Sequence, residues 1–294
     1  MSLVGESYVV GLIGSGITAT LSAPMHEKAA DTLGLRYIYR PIDLDTIPDG
    51  VERAPELLKT AVDVGFSAFN ITFPCKQTII EYLDEVAPDA ARLGAVNTVV
   101  VDDGRLIGHN TDFSGFASAL DAGLPGADLT SVVQLGTGGA GSATAYAVLS
   151  RGAVKLSLFD VDPQRSAERA TELSGQFPDA SVVALTADDL PQALAEASGL
   201  INATPIGMHH HPGAPLDLDL LHPELWVADV IYLPQETALI KRGRQLGCRV
   251  LPGGYMAVGQ AVDAFELITG SRPDYAELRT YFERLVADQQ GETP

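Results

Sequence analysis

The chain is poor in basic residues and in cysteine. Its 294 residues contain 19 lysines and arginines against 38 aspartates and glutamates, which gives a formal net charge of -19. Because a phosphate backbone repels a strongly acidic protein, we expect no nucleic-acid partner. The two cysteines, Cys75 and Cys248, stand far apart and match no zinc or redox spacing, which is typical of a reducing compartment.

Long apolar runs and a targeting segment are also missing. No run approaches the roughly 20 residues that a membrane-spanning helix needs. The N-terminal stretch MSLVGESYVV has neither the basic region nor the cleavage site of a signal peptide. We therefore expect a cytoplasmic protein without a membrane partner, and the sequence leaves open whether it is a monomer or a homodimer.

Short β-branched runs alternate with amphipathic stretches along the chain. Towards the N-terminus, the pattern predicts strands over 8–14, 36–43 and 67–74, and helices over 22–34, 52–65 and 77–86. This βαβαβ order predicts a parallel sheet. Asp103-Gly104 joins NTVVVDD to RLIGHNTD, a strong hairpin signal, so an antiparallel pair should extend the sheet.

A second βαβ series begins at SVVQLG. Further strands are predicted within KLSLFDVD, ASVVALT, SGLINATP, WVADVIYLP and RVLPGG, and two helices follow from Met256 onward. With 46% hydrophobic residues, a chain of this length can bury two cores. We predict an α/β fold with two domains.

Two glycine-rich turns are candidates for a dinucleotide loop. In QLGTGGAGSA, Gly136, Gly138 and Gly139 lie between an apolar strand and an alanine-rich helix, where backbone N–H groups can approach a pyrophosphate. The alternative is a turn that only packs a helix on the sheet. GLIGSGITA also follows a strand, but the residues after it are β-branched and a helix begins only near Ser22, so it is the weaker candidate.

Two acidic residues follow the next predicted strand, about 20 residues beyond these glycines. A carboxylate at Asp160 would accept hydrogen bonds from ribose hydroxyls and repel a 2′-phosphate, which selects NAD over NADP. The alternative is a solvated turn or a helix cap. Asp162, directly before Pro163, is predicted to cap the following helix.

A nicotinamide cofactor requires a group that handles the alcohol proton, and Lys76 is a candidate. It ends NITFPCK and is one of five lysines. A partly desolvated lysine at the mouth of a parallel sheet can act as a general base, although Lys76 could equally be a surface residue of the predicted helix after it. Asp112 of GHNTDFSGF, which closes the second hairpin strand before a helix, is its candidate partner or a helix N-cap.

Several stretches together resemble one family. NITFPCK, GAVNT and GHNTD, in this order and at these spacings, resemble the three signature stretches of the shikimate/quinate dehydrogenase family. GTGGAGSA is similar to its cofactor loop, NATPIGM to its nicotinamide-side strand end, and GQAVDAF to its C-terminal substrate helix. The resemblance extends from about Val10 to about Leu285.

The resemblance implies a role for each matching position. Lys76 would take the proton from the ring hydroxyl as hydride leaves for C4 of the nicotinamide, and Asp112 would hold both the lysine and the hydroxyl. The implied substrate-binding residues are Thr20, Ser22, Asn70, Thr72, Asn97, Tyr232 and Gln260. The implied cofactor-binding residues are Gly136, Gly138, Gly139, Ala140, Asp160, Arg165, Asn202, Thr204, Pro205, Gly254 and Met256.

The resemblance also implies a division of the chain. A substrate-binding catalytic domain with a mainly parallel mixed sheet would comprise 1–113 and be completed by 255–294. An NAD-binding Rossmann-like domain would comprise 114–254. A cleft between the two domains would hold the substrate, a small cyclic polyol carboxylate.

Two positions depart from the family pattern. Thr20 and Ser22 stand where the family has paired serines that bind the substrate carboxylate, and the added methyl of Thr20 puts substrate preference in doubt; helix capping is the alternative role. Asp160-Val161-Asp162 replaces the Asn-Arg-Thr type sequence of NADP-dependent members. Arg165 would then stack on the adenine.

The sequence therefore predicts an NAD-dependent dehydrogenase that oxidises quinate, shikimate or both. A biosynthetic NADP-dependent shikimate dehydrogenase and a catalytically weak ligand sensor on the same scaffold are the alternatives. We expect no metal site, because the triplet His209, His210 and His211 has no carboxylate or cysteine at ligand spacing.

Overall fold

The computed structural model describes residues 7–290. Two stretches lie outside the described residues. One is the first six residues of the N-terminal stretch, from which we predicted that no signal peptide is present. The other is the last four residues of the implied first domain. Within 7–290, no helix combines the length and the apolar character that crossing a membrane would require.

One compact unit contains the described residues up to Thr111 and those from Gln260 onward. It holds a six-stranded sheet of order β2-β1-β3-β5-β6-β4. The strands are β1 Ser7–Gly14, β2 Arg36–Asp43, β3 Ala68–Ile71, β4 Glu85–Val86, β5 Thr98–Asp102 and β6 Arg105–His109. The first helices are α1 Ser22–Leu33, α2 Ala54–Asp63 and α3 Pro88–Leu93.

The first three strands of this sheet are parallel, and the β5–β6 pair is antiparallel, as the pattern predicts. Asp103 and Gly104, with φ of 47° and 78°, form the turn between β5 and β6. Both angles lie in the left-handed region that a two-residue hairpin turn of this type needs. The predicted hairpin is confirmed.

The helix predicted over 77–86 is wrong. Only Thr78–Tyr82 is helical, as a short 3₁₀ segment, and the chain then forms β4. Directly before β4, Asp84 exchanges hydrogen bonds with Leu106 of β6: the Asp84 N–H donates to the Leu106 carbonyl at 2.9 Å, and Asp84 Oδ2 accepts from the Leu106 N–H at 2.7 Å. This pairing outweighs the local helical pattern.

The second compact unit is Asp112–Gly259. Its six strands, ordered β12-β11-β10-β7-β8-β9, all pair in parallel. The strands are β7 Ser131–Leu135, β8 Lys155–Phe159, β9 Ser181–Ala184, β10 Gly199–Asn202, β11 Trp226–Asp229 and β12 Arg249–Leu251. Its helices are α4 Thr111–Gly123, α5 Gly139–Ser150, α6 Pro163–Gln176, α7 Leu190–Ala195 and α8 Ala238–Leu246. Of the last two helices, α9 Gly254–Thr269 begins in the second unit and ends in the first, and α10 Tyr275–Gln290 belongs to the first.

Apolar side chains cover both faces of the second sheet. Along β7, Val132 packs in one core cluster with Val148 of α5, whereas Val133 and Leu135 pack in another with Leu239 of α8. This alternation is expected for a parallel sheet with helices on each side. The predicted α/β fold is therefore confirmed.

Candidate active site

The turn after β3 carries two of the implied site residues, Thr72 and Lys76. A Cβ on Gly14, at the end of β1, would lie 2.2 Å from Thr72 Cγ2 and 2.9 Å from the Phe73 carbonyl oxygen, so glycine is required for this close approach. The Lys76 carbonyl accepts the Val96 N–H at 2.8 Å. The half-buried Lys76 thus extends from a turn that is fixed on two sides.

The Asn97 side chain is fixed by hydrogen bonds inside the first unit. Its Oδ1 accepts from the Thr111 N–H at 2.7 Å and from the Thr98 hydroxyl at 3.1 Å, and its Nδ2 donates to Thr111 Oγ1 at 3.0 Å. These bonds set the orientation of the amide, because only an oxygen can accept the Thr111 N–H.

Asp112 lies inside the first turn of α4, which begins at Thr111. The prediction that Asp112 closes a strand just before the helix is therefore wrong, and so is its N-cap alternative. The reason is that pairing with β5 ends at His109, opposite Thr98, and the chain turns into the helix earlier than the sequence pattern indicates. A buried carboxylate in the first turn is favourably placed with respect to the helix dipole.

The first glycine-rich turn is held by Asp43 at the end of β2. The Asp43 carboxylate accepts backbone N–H groups of Gly16, Ile17 and Thr18 at 3.0, 3.1 and 3.1 Å, and the Thr18 hydroxyl at 2.6 Å. The hydroxyl bond and then the backbone bonds hold the pKa of Asp43 below its usual range. A protein carboxylate thus takes the donors that a phosphate would need, which argues against a dinucleotide loop here.

This turn leads to Thr20 and Ser22 at the start of α1. Thr20 Oγ1 accepts the Ser22 N–H at 3.2 Å, but the N-cap position of α1 is Leu21, which makes no side-chain cap bond, so the capping role that we considered for this pair is wrong. Of the other implied substrate residues, Gln260 is half-buried in α9. Tyr232 follows β11, and partial burial raises the pKa of its phenol.

The second glycine-rich turn fits a dinucleotide. Gly136 has φ of 89°, and a Cβ on it would lie 2.8 Å from the Ala203 carbonyl oxygen. Added Cβ atoms on Gly138 and Gly139 would meet open space, and both residues are exposed where α5 begins. Exposed N–H groups at a helix N-terminus are suited to bind a pyrophosphate.

A buried glutamine shapes this turn. The Gln134 Nε2 group donates to the carbonyl oxygens of Gly136 and Gly141 at 2.9 and 2.8 Å, and its Oε1 accepts from the Thr144 hydroxyl at 2.8 Å. A Cβ on Gly141 would lie 2.2 Å from the Gly136 carbonyl oxygen. The amide of Gln134 therefore holds both ends of the turn together.

Asp160 connects the turn to the strand beside it. Its Oδ2 accepts from Thr137 twice, and its Oδ1 accepts from the Asp162 N–H at 3.0 Å and lies 3.8 Å from Arg165 Nη1. Burial acts to raise the pKa of Asp160, but the bonds from Asp162 and Thr137 and the charge of Arg165 lower it overall. The predicted cap by Asp162 is present, since its carboxylate accepts the N–H groups of Gln164 and Arg165.

A second buried carboxylate organises the ends of β10 and β11. Asp229 Oδ1 accepts from Asn202 Nδ2 and from the Ile231 N–H, both at 3.0 Å, and its Oδ2 accepts from the Thr237 hydroxyl at 2.8 Å. Asn202 Oδ1 in turn accepts from the Thr204 N–H and hydroxyl. Burial raises the pKa of Asp229 to about 6, although these bonds act to lower it.

The histidine triplet and Cys75 lie outside these clusters. The histidine triplet lies on an exposed turn, and in the described part of the chain no three histidine, cysteine or acidic side chains could hold a metal ion together. Cys75 is fully buried in the core, where burial raises the pKa of its thiol. A thiol in this environment is a packing residue and not an activated nucleophile.

Related proteins decide the family. Residues 12–99 match the model of the shikimate dehydrogenase substrate binding domain. A protein of Pseudarthrobacter chlorophenolicus named shikimate dehydrogenase (NADP(+)) is 57% identical over 290 residues, which cover 99% of each chain. The chain belongs to the shikimate/quinate dehydrogenase family. The family resemblance that the motifs indicate is thereby confirmed.

Other family members carry a different cofactor in their names. The quinate/shikimate dehydrogenase (NAD(+)) of Corynebacterium efficiens is 45% identical over 278 residues, which cover 94% of this chain and 98% of that one. A solved structure, quinate dehydrogenase from Corynebacterium glutamicum in complex with NAD, has a TM-score of 0.90 at 42% identity and covers 95% of this chain and 99% of that one. Membership in this family supports an oxidoreductase that uses a nicotinamide dinucleotide. The names of the relatives differ in whether that dinucleotide is NAD or NADP.

Sequence reasoning missed the residues that support the implied site in this family member. They are Asp43, Thr98, Gln134 and Asp229. The sequence signal shared by Gln134, Asp229 and Thr98 is a polar residue within or at the end of an apolar strand. A polar side chain at such a position is buried, and buried polar groups are hydrogen-bonded. Asp43 has the same signal as Asp160, an acidic residue where a strand ends.

Proposed function

We propose that this protein is an NAD-dependent dehydrogenase that oxidises quinate, shikimate or both to 3-dehydroquinate and 3-dehydroshikimate. The observation that supports this proposal most is the position of Asp160. Its carboxylate lies at the end of the strand beside the glycine-rich turn and is bonded to that turn. In a dinucleotide-binding fold, this is where a carboxylate accepts hydrogen bonds from ribose hydroxyls.

The two domains would divide the work. We assign substrate binding to 1–113 completed by 255–294, and the dinucleotide to 114–254. The glycine-rich turn fits the pyrophosphate of the cofactor, because Gly138 and Gly139 leave open space at an exposed helix N-terminus. Asp160 would hold the ribose, and Arg165, whose side chain is 55% exposed, would cover the adenine.

Lys76 is the proposed general base. The Lys76 side chain accepts the proton of the ring hydroxyl, and Asp112 keeps the lysine and the hydroxyl oriented for this transfer. The bound nicotinamide supplies the hydride acceptor. As the C–H bond at the same carbon breaks, the electron pair of the O–H bond forms the ketone. Asn97, whose amide is fixed by Thr111 and Thr98, would bind a neighbouring ring hydroxyl.

The substrate carboxylate would bind at the start of α1. Thr20 and Ser22 present hydroxyls there, and a helix N-terminus favours an anion. The proposed set of substrate residues is completed by Asn70, Thr72, Tyr232 and Gln260. Because Thr20 carries a methyl where the family has serine, this side of the carboxylate site is narrower.

The cofactor could instead be NADP. The 57% identity to a shikimate dehydrogenase named for NADP(+) favours this alternative. Against it, a 2′-phosphate at the ribose would approach the carboxylates of Asp160 and Asp162, and each like-charge contact near a surface costs about 1 to 4 kcal/mol. Arg165 lies 3.8 Å from both carboxylates and is already shared between them.

A ligand sensor on the same scaffold is the second alternative. Lys76 and Asp112 argue against a sensor, because a protein that only binds a polyol has no need of a base. The test is a turnover assay of the purified protein with quinate and with shikimate, followed by the absorbance of the reduced nicotinamide. Sustained turnover supports an enzyme. Binding of quinate or shikimate by calorimetry without turnover would favour the sensor.

A further inference from the structure

Tyr39 lies at the centre of a buried polar cluster in the first unit. Its ring is 4% exposed in β2, and its hydroxyl donates to Asn70 Oδ1 at 2.8 Å. Burial raises the pKa of this phenol, so the hydroxyl keeps its proton and remains a donor at working pH. A buried hydroxyl destabilises the fold unless it is hydrogen-bonded, so the loss of either partner of this bond is costly.

The hydrogen bonds continue from Asn70 to Asn97. Asn70 Nδ2 donates to Thr98 Oγ1 at 3.0 Å and to the Asn97 carbonyl oxygen at 3.4 Å, and the Thr98 hydroxyl donates to Asn97 Oδ1 at 3.1 Å. Asn97 is bonded to Thr111, the residue before Asp112. An unbroken series of bonds therefore leads from Tyr39 to the amide that is proposed to bind a ring hydroxyl.

On its other side, Tyr39 contacts α1. Its ring packs against the buried His26, with 4.7 Å between the ring centroids, and its backbone N–H donates to Glu27 Oε1 at 3.1 Å. Tyr39 thus contacts α1 and, through Asn70, the end of β3. In the proposed function, the start of α1 binds the substrate carboxylate, and the residues bonded to Asn70 bind the ring hydroxyls.

We infer that Tyr39 is a positioning residue for the substrate, because its hydroxyl orients Asn70 and, through Thr98, Asn97. It holds in place the amide that is proposed to bind a ring hydroxyl. This inference rests on the proposed function. Tyr39 acts through other residues and neither accepts the proton nor touches the cofactor.

Tyr37 is a matched control on the same face of the same strand. Its hydroxyl pairs with Nδ1 of the buried His26 at 2.9 Å, and its ring stacks on Phe265 at 5.2 Å between centroids. Burial lowers the pKa of His26 to about 3, so this histidine is neutral. Loss of the Tyr37 hydroxyl also removes a buried hydrogen bond, but that bond involves none of the residues proposed to bind substrate.

The test compares Tyr39→Phe with Tyr37→Phe in the full-length protein. Both variants keep the aromatic ring and its packing. For Tyr39, this packing includes the His26 ring, with 4.7 Å between the two ring centroids. We expect Tyr39→Phe to raise KM for the preferred substrate about tenfold and to change kcat less than threefold, because a buried acceptor loses its donor. KM for NAD should stay unchanged, and Tyr37→Phe should leave both substrate constants within about twofold of wild type.

A second variant breaks the same series at another bond. Thr98→Val removes the hydroxyl that connects Asn70 to Asn97 and keeps the shape of the side chain. It should raise KM in the same way, and the double variant with Tyr39→Phe should lose less than the product of the two single effects. Equal KM effects of Tyr39→Phe and Tyr37→Phe, or independent effects of Tyr39→Phe and Thr98→Val, would overturn the inference.

Calorimetric titration with quinate and shikimate separates this inference from the proposed function. If the wild type binds either acid without turnover, the dehydrogenase proposal fails. In that case, a higher dissociation constant for Tyr39→Phe than for Tyr37→Phe supports the inference, and equal constants overturn it. If the wild type binds neither acid, both proposals are overturned.

Discussion

Asp160 accepts two hydrogen bonds from Thr137, one from its backbone N–H and one from its hydroxyl, both at 2.8 Å. The carboxylate that is proposed to choose the cofactor therefore also fixes the glycine-rich turn to the end of β8. A carboxylate has about four lone-pair positions. Thr137 and Asp162 use three of these lone pairs. The fourth is on Oδ1, so a ribose hydroxyl would have to donate to this oxygen.

Asp160→Ser should weaken the use of NAD. Because it removes both the ribose acceptor and the bonds to Thr137, we expect kcat/KM with NAD to fall by about tenfold or more, while the value with NADP falls less. Asp162→Ser is the control, since it removes one charge at the same turn and keeps a good helix cap. Steady-state rates with both cofactors measure the effect. An equal loss in both variants would show that charge alone matters here.

Lys76→Ala should abolish most of the chemical step. If Lys76 accepts the proton, kcat should fall by on the order of 10² to 10⁴ while KM changes little. Lys59, exposed on α2, provides the matched control, and Lys59→Ala should leave both constants unchanged. The measurement is a steady-state titration of substrate at saturating NAD. An unaltered kcat in Lys76→Ala would remove Lys76 from the mechanism.

Asp43→Ala should affect substrate binding more than catalysis. Without its carboxylate, the N–H groups of Gly16, Ile17 and Thr18 lose their acceptor, and the turn that leads to Thr20 is no longer fixed. We expect KM for the carboxylate substrate to rise about tenfold and KM for NAD to stay the same. Asp45→Ala, at an exposed carboxylate two residues later, is the control. A KM for substrate that stays at the wild-type value would contradict this role.

The raised pKa of Asp229 should appear in the pH dependence of stability. The folded pKa of about 6 lies above the ordinary pKa of 3.8 for an aspartate, so the protonated carboxyl stabilises the fold at low pH and this contribution is lost as pH rises through about 4 to 6. The difference in pKa corresponds to about 3 kcal/mol.

Asp229→Asn isolates this effect. Its amide can still accept from Asn202 and Ile231, and it can donate to Thr237, so the variant keeps the bonds but does not titrate. The free energy of unfolding of the wild type, minus that of Asp229→Asn, should therefore decrease between pH 4 and pH 6. A difference that is constant or rises with pH would show that the folded pKa of Asp229 is not raised.

The elements of the fold were largely predictable from the sequence, because they depend on local pattern. β2 over Arg36–Asp43 and the turn at Asp103-Gly104 follow from β-branched runs and turn residues. The segment at 77–86 did not follow, because its backbone pairs with β6, which a local pattern cannot show. Completion of the first domain by the tail came only from the family resemblance.

Candidate site residues could be predicted where they stand at the end of a strand or turn, as Lys76 and Asp160 do. The residues that fix these turns through hydrogen bonds could not be predicted. Gln134 bonds to a carbonyl seven positions away, and Asp43 to N–H groups 25 to 27 positions away. Such bonds depend on which strands are neighbours in the sheet, and the apolar pattern of a single strand does not contain that information.

Cofactor preference is the most direct test of the central claim. The measurement is kcat/KM of the wild-type protein with NAD and with NADP, at saturating quinate and again at saturating shikimate. Repulsion of a 2′-phosphate by Asp160 and Asp162 predicts a preference for NAD of at least about tenfold, since about 1.4 kcal/mol corresponds to a factor of ten. Equal or faster rates with NADP would contradict the account and favour the NADP-dependent shikimate dehydrogenase.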